Sequence, residues 1–200
     1  MTAQTMLQIA EANLPTGTPR DAALIVIDAQ EEYREGALKL SGLAPALANV
    51  ARLIAHWREQ NGTIIHIRHH GEPGAAMFDP DGPYVSIMPE VAPGEGEPVL
   101  VKHVPSAFGG TDLQARLEAQ GIDHVVLSGF MSHVCVSTTA RVGNELGYRV
   151  TIADDAVTTR DLPAADGQGV LKAADLHRAE MTMLSDIFAR ILRTETILAG

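Results

Sequence analysis

The sequence predicts an α/β fold, a three-layer sandwich around a six-stranded, mostly parallel sheet. Short runs rich in β-branched apolar residues alternate with longer segments in which apolar residues recur at helical spacing. This alternation is typical of parallel strands joined by right-handed helical crossovers. The 200 residues, 46% of them hydrophobic and 20% charged, suit one globular domain with a sizeable core.

The chain divides into an N-terminal arm and one domain. Residues 1–20 are polar and end in a cluster of proline, threonine and glycine, so we expect a loosely held arm there. Residues 21–200 carry the alternating pattern and are expected to form the domain.

The first elements follow from an apolar run that ends in an acid. Ala22–Ile27 predicts a strand buried on both faces, and it places Asp28 at the edge of the sheet where ligands bind. Helical spacing follows over 43–57, with a stop at Asn61 and Gly62, and 63–67 predicts the second strand.

A long segment rich in proline and glycine, residues 69–98, comes next. Its composition excludes any long regular element, and a loop of this length inside a compact domain usually serves as a lid, a substrate contact or an oligomer arm. We therefore expect it to shape the substrate pocket.

The remaining elements alternate again. Val99–Lys102 predicts a third strand, and the spacing of Thr111 and Gln114 predicts a capping box that opens a helix closed by Gly121. The further predicted elements are a strand at 125–127, a helix from Cys135, a strand at 149–152, a helix over 170–184, a strand at 188–192 and a short terminal helix.

Charge and cysteine content exclude several classes of partner. The net charge of −10, with no run of lysine or arginine, argues against nucleic acid and against anionic membranes. The single cysteine cannot form an intramolecular disulfide. The first twenty residues show no secretory signal and no apolar run is long enough to span a bilayer, so we expect a cytoplasmic protein.

Three residues with complementary chemistry are expected at one edge of the sheet: Asp28, Lys102 and Cys135. Each has an ordinary explanation, because the acid could cap a helix, the lysine could be solvated and the cysteine could fill the core. Together they supply a base, a cation and a nucleophile. The helix predicted to start at Cys135 is expected to lower the pKa of its thiol.

At these residues the sequence resembles the isochorismatase-like cysteine hydrolase superfamily. The similar blocks are LIVIDAQEEY, VKHVPSAFGGTDL and SGFMSHVCVSTTAR. The resemblance implies a triad of Asp28, Lys102 and Cys135, an oxyanion hole at Met131 and Cys135, and a cis peptide bond between Phe130 and Met131. It also implies a homo-oligomer without a cofactor, which hydrolyses a carbon–nitrogen bond of a small molecule (an amide, carbamoyl group or lactam) through a cysteine thioester.

The substrate pocket is less defined, because this chain departs from the family pattern at Tyr33 and His133. With Gln30 and Phe108 these residues are the candidates for lining it. The Asp/His metal cluster of nicotinamidases has no counterpart here, so no metal site is expected.

The histidines nearest to such a cluster are His66, His69 and His70. Strand alternation puts His66 and His70 on one face and His69 on the other, which favours solvated or pocket-lining roles.

Two other functions remain open from the sequence. One is vinyl ether hydrolysis of the isochorismatase type, with Asp28 as the acid and Cys135 as a bystander. The other is a non-catalytic role, either as a binding protein or as a redox-sensing thiol.

Overall fold

Six strands form the central sheet in the computed structural model, which describes residues 2–200. Every neighbouring pair in this sheet is parallel. The strands are β1 (Ala23–Ile27), β2 (Ile64–His69), β3 (Val99–Lys102), β4 (His124–Phe130), β5 (Arg149–Thr158) and β8 (Arg190–Leu192), and their order is β3-β2-β1-β4-β5-β8. The predicted α/β sandwich is therefore confirmed, with a sheet that is wholly parallel.

Helices cover both faces of this sheet. They are α1 (Met6–Ile9), α2 (Leu43–Glu59), α3 (Leu113–Ala119), α4 (Ser137–Glu145), α5 (Ala173–Ile187) and α6 (Thr194–Ala199). Apolar residues of α2 and α6 pack on one face, and those of α3, α4 and α5 pack on the other. No helix among residues 2–200 is both long and apolar enough to cross a bilayer.

Side-chain alternation along β1 divides the core into two halves. Leu24 and Val26 belong to the half under α2, whereas Ile25 and Ile27 belong to the half under α3 to α5. All five residues of β1 are buried, as expected for the centre of a parallel sheet covered on both faces. Trp57 fixes α2 to this core, because its buried indole donates a hydrogen bond to the carbonyl of Ala22 at 3.1 Å.

Three local predictions are wrong. The helix expected over 170–184 begins at Ala173, because Val170–Leu171 (β7) pairs instead with Leu162–Pro163 (β6) in a small antiparallel hairpin. No capping box forms at Thr111. Its hydroxyl donates to the carbonyl of Ala107, while Gln114 bonds to Glu118. The helix expected to start at Cys135 starts instead at Ser137. Cys135 lies in a π-helical turn, Ser132–Val136, that precedes this helix.

The N-terminal arm contains α1 and lies against α5 and β8. The backbone N–H of Met6 donates to Asp186 at 2.8 Å, and Arg190 donates to the carbonyl of Leu14. A Thr5–Gln8 capping box holds the first turn of α1. The arm is thus attached to the domain on the side of β8.

The direction of strand succession reverses between β1 and β4. From β1 the chain continues outward through β2 and β3, and from β4 it continues outward in the other direction. A crevice opens at the carboxyl ends of the strands at such a switch point. Gly129 permits the close approach of the two strands here, because a Cβ at this position would lie 2.0 Å from the carbonyl oxygen of Ile27.

Candidate active site

The sheet brings Asp28, Lys102 and Cys135 together at its carboxyl edge. Asp28 directly follows β1, Lys102 is the last residue of β3, and Cys135 lies in the π-helical turn after β4. Asp28 has a positive φ of 48°, a left-handed conformation that aspartate tolerates better than most residues. Asp28 and Lys102 are fully buried and Cys135 is 6% exposed.

Lys102 is the centre of this cluster. Its Nζ lies 2.7 Å from Oδ2 of Asp28 and 3.3 Å from Sγ of Cys135. The same atom is 2.9 Å from Nδ1 of His69 and 3.2 Å from the carbonyl oxygen of Val104. The contact with Asp28 is a close ion pair and not a well-aligned hydrogen bond, since neither carboxylate oxygen has a partner with good hydrogen-bond geometry among residues 2–200.

Burial and the ion pair act on Asp28 in opposite directions. Desolvation raises the pKa of its carboxyl group, and attraction to the ammonium of Lys102 is the largest opposing influence. The net pKa is raised above its usual value of 3.8. A carboxylate of raised basicity, kept charged by its lysine partner, is suited to accept a proton from a thiol.

The thiol of Cys135 has a raised pKa, so the expected lowering at a helix N-terminus is wrong. Burial is the main cause and the negative charge of Asp28 the second, and together they raise the pKa to about 12 in spite of Lys102. The resting residue is therefore a thiol. A nucleophile at this position needs a base at the moment of attack, and the Sγ of Cys135 lies within 4.8 Å of a carboxylate oxygen of Asp28.

The peptide bond between Phe130 and Met131 is cis. It joins the end of β4 to the π-helical turn that carries Cys135. Met131 is 7% exposed and directly precedes this turn.

Two of the candidates for the pocket, Tyr33 and Gln30, lie beside the cluster. The ring centroids of Tyr33 and Phe130 are 5.8 Å apart. Burial is the main cause that raises the pKa of the Tyr33 hydroxyl, and the negative charge of Asp28 is the second. Gln30 is fully buried and uses its amide on the backbone. It donates to the carbonyls of His69 and Val85 at 3.0 and 2.8 Å, and it accepts from the N–H of His69 at 2.7 Å. Gln30 thus fixes the end of β2 and is not free for a substrate.

The other two candidates occupy different surroundings. His133 is half-buried in the π-helical turn, with its Nδ1 2.5 Å from the hydroxyl of Thr159. Phe108 packs in the core half under α3 to α5, where its ring stacks on Tyr148 with centroids 5.5 Å apart. The expectation that Phe108 lines the pocket stays a prediction.

Part of the segment 69–98 closes over the cluster. The ring of Phe78 packs edge-on against Tyr33, with centroids 5.5 Å apart, and lies 4.9 Å from the ring of His69. Its backbone N–H donates to buried Glu32 at 3.3 Å. At the far end of the segment, Glu97 accepts hydrogen bonds from Arg58 of α2 and pairs with His66 of β2.

The three histidines have separate roles. His66 is buried against Glu97, and the ring of His70 faces that of His103. His69 reaches the cluster, where its ring, the Asp28 carboxylate and the Cys135 thiol bring three potential metal-ligand atoms within 4.8 Å. The ammonium of Lys102 contacts all three groups, so the chain itself supplies the cation at this point. The expectation of no metal stays a prediction.

Sequence reasoning gave His69 a solvated or pocket-lining role and did not place it in contact with Lys102. Strand order indicates the position of His69, whereas side-chain alternation does not. His69 is the last residue of β2, and β2 lies between the strands that end at Asp28 and Lys102.

Comparison with known proteins gives a consistent result. The isochorismatase domain family matches residues 22–196. A crystal structure of an isochorismatase from Pseudomonas putida superposes with a TM-score of 0.92 and 42% identity, covering 98% of this chain and 100% of that one. A secreted isochorismatase effector from Verticillium dahliae is 39% identical over 91% of this chain and 93% of its own length. A ureidoacrylate amidohydrolase from Cronobacter sakazakii is 29% identical over 75% of this chain and 80% of its own length.

Proposed function

The chain belongs to the isochorismatase family of hydrolases, and from that premise we propose that it cleaves a carbon–nitrogen bond of a small molecule through a cysteine thioester. The observation that carries this proposal is the position of the Lys102 ammonium, within 3.3 Å of both the Asp28 carboxylate and the Cys135 thiol. A buried base and a buried nucleophile that both contact one cation are the groups that acyl transfer needs. The amidohydrolase among the relatives supports amide-type chemistry.

In the first half of the proposed reaction Asp28 takes the thiol proton while Cys135 forms a bond to the carbonyl carbon. The backbone N–H groups of Met131 and Cys135 stabilise the resulting oxyanion. Asp28 then gives its proton to the leaving nitrogen as the carbon–nitrogen bond breaks. Lys102 stabilises the negative charge that moves between the thiol and the carboxylate.

In the second half a water molecule attacks the thioester. Asp28 takes a proton from this water, and the carbon–sulfur bond breaks to release the acid. The proton then passes from Asp28 to the sulfur of Cys135, which restores the resting thiol. Asp28 thus acts as base and as acid in each half, a dual role suited to a carboxyl of raised pKa.

Substrate size follows from burial and from the aromatic rings near the cluster. Tyr33, Phe78 and Phe130 are each buried, and the catalytic atoms are almost fully covered. We therefore propose a compact substrate. We also propose that the protein is a homo-oligomer that needs no cofactor. The cytoplasmic location stays a prediction, and the secreted status in the name of the fungal relative argues the other way.

A second function has specific support, because two of the similar proteins are named as isochorismatases. In vinyl ether hydrolysis Asp28 would act as an acid and no bond to sulfur would form. The Cys135→Ala variant separates the two reactions. We expect it to be nearly inactive with an amide substrate, and full activity of the folded variant would instead favour ether hydrolysis.

The test begins with a panel of small amides, carbamoyl compounds and lactams, with ammonia or amine release as the readout. Asp28→Asn should also be nearly inactive, and the double variant with Cys135→Ala should be little worse than either single, because the residues act as one unit. Rapid quench and intact mass should reveal an acyl adduct on a slow substrate. The chain has one cysteine, so a thiol adduct can lie only at Cys135. Peroxide oxidation of the thiol without turnover of any panel member would favour the redox-sensing alternative.

A further inference from the structure

Strand pairing places His69 directly beside Lys102. The two residues are register partners at the end of the β2–β3 pair, and Nδ1 of the imidazole lies 2.9 Å from Nζ of the lysine. Neighbouring side chains on paired strands interact in this way across a sheet. The contact is therefore built into the sheet and does not depend on a loop.

The direction of this hydrogen bond follows from the chemistry of the two groups. An ammonium has three N–H donors and no lone pair, so it can only donate. Nδ1 of His69 must accept, and the ring proton of the neutral imidazole then resides on Nε2. Burial, reinforced by the charge of Lys102, lowers the pKa of His69 to about 4, which keeps the ring neutral near pH 7.

The imidazole is held in this orientation from two sides. The side chain of Gln30 forms hydrogen bonds with the backbone N–H and the backbone carbonyl of His69, at 2.7 and 3.0 Å. The ring of Phe78 lies 4.9 Å from the imidazole. Neither contact uses Nδ1, which remains available to the lysine.

Three of the four contacts of the ammonium are hydrogen bonds, one for each of its N–H groups. Asp28, His69, Val104 and Cys135 lie 2.7, 2.9, 3.2 and 3.3 Å from Nζ. The hydrogen bonds run to His69, Val104 and Cys135, and the contact with Asp28 is the close ion pair. Removal of His69 would leave a buried N–H of the ammonium without an acceptor, so the ammonium would be held less firmly between Asp28 and Cys135.

We propose that His69 is a positioning residue, which accepts a hydrogen bond at Nδ1 from Lys102 and thereby holds the charged ammonium between Asp28 and Cys135. This deepens the proposed function by adding a fourth side chain to the three that carry the reaction. His69 acts through Lys102, so its loss should reduce turnover more than substrate binding.

The experiment compares His69→Asn with His69→Leu. The side-chain oxygen of asparagine can replace Nδ1 as an acceptor, whereas leucine of similar volume cannot. We expect kcat to fall about 10- to 100-fold in the leucine variant, with little change in KM, and to stay within about fivefold of wild type in the asparagine variant. His56→Leu, which replaces a half-buried histidine of α2 that bonds to Gln60, is the control, and melting temperatures are compared for all variants.

Two readouts do not depend on the substrate or on the proposed function. The rate of Cys135 alkylation by iodoacetamide should fall in His69→Leu and be restored in His69→Asn, because an ammonium that is held less firmly beside the sulfur stabilises the thiolate less. Ring ¹⁵N NMR of the wild-type protein should show the His69 proton on Nε2. Absence of turnover on every panel member would overturn the proposed function and leave these two measurements to decide the role of His69.

Three results would overturn the inference. They are equal alkylation rates in both variants and the wild type, an equal loss in both variants, and a ring proton on Nδ1. The NMR measurement keeps the inference falsifiable if the leucine variant does not fold.

Discussion

Replacement of Lys102 by methionine tests whether the buried ion pair is the electrostatic centre of the protein. The two charged atoms are 2.7 Å apart and both side chains have no solvent exposure. Removal of one partner from a buried pair typically costs about 3 to 5 kcal/mol, because the remaining charge has no compensation. We expect Lys102→Met to lose an amount in this range in the free energy of unfolding, and to lose nearly all activity.

The loss should depend on pH. Without the ammonium, the pKa of Asp28 rises further above its usual value of 3.8, since Lys102 is the main influence that opposes desolvation. When the pKa of a carboxyl group is higher in the folded than in the unfolded protein, its contribution to the free energy of unfolding is largest at low pH. That contribution is lost as pH rises through the folded pKa. The destabilisation of Lys102→Met relative to wild type should therefore grow as pH rises above the raised pKa that Asp28 has in the wild-type protein.

Urea denaturation of a double-mutant cycle measures the effect. The double variant Asp28→Asn/Lys102→Met contains neither charge of this pair and should recover at least half of the stability lost in Lys102→Met, while it remains inactive. The matched control is Lys172→Met, which removes a lysine 2.9 Å from Asp161 in a pair whose side chains are 67% and 39% exposed. We expect little measurable change there, because solvent screens exposed pairs. Additive losses in the double variant, or a control as damaging as Lys102→Met, would refute this reasoning.

Two further predictions concern the segment 69–98. Glu97→Gln should lower the free energy of unfolding at pH 7 by about 1 to 2 kcal/mol after allowance for solvent screening, because hydrogen bonds from Arg58 lower the pKa of Glu97 from 4.5 to about 2. The stability difference between Glu97→Gln and wild type should shrink as pH falls from 4.5 toward 2. Glu95→Gln, at an exposed position, is the control, and a loss of stability that does not depend on pH would contradict the prediction. Phe78→Ala should change the ratio of kcat/KM between a small and a bulky substrate more than Met77→Ala does. The reason is that the Phe78 ring packs against Tyr33 and His69 beside the cluster. An unchanged ratio with a lowered melting temperature would make Phe78 structural.

Much of the fold could be predicted from the sequence because it depends on local patterns. The run Ala22–Ile27 is apolar without interruption, as expected for a strand that is covered on both faces. The spacing that ends at Trp57 similarly predicted α2. The same patterns placed Asp28 and Lys102 at strand ends, and resemblance to a family added Cys135 and the position of the cis peptide bond.

Several local details could not be predicted, since competing contacts decided them. Thr111 and Gln114 have the spacing of a capping box, yet the Ala107 carbonyl and Glu118 offered these side chains other partners. The stacking of Phe108 on Tyr148 joins two residues that are 40 positions apart, and no local pattern indicated it. A pattern along the chain carries no information about which distant partner a side chain meets.

The sequence by itself determined which residues could carry the chemistry, and the tertiary structure decided their electrostatic state. Helix position alone predicted a thiol of lowered pKa at Cys135, whereas burial beside Asp28 raises that pKa to about 12. Strand order, which no local pattern encodes, placed His69 in register with Lys102. The physical reason is that side-chain type and periodicity are local properties, whereas desolvation and charge–charge interaction depend on groups that are distant in sequence and close in space.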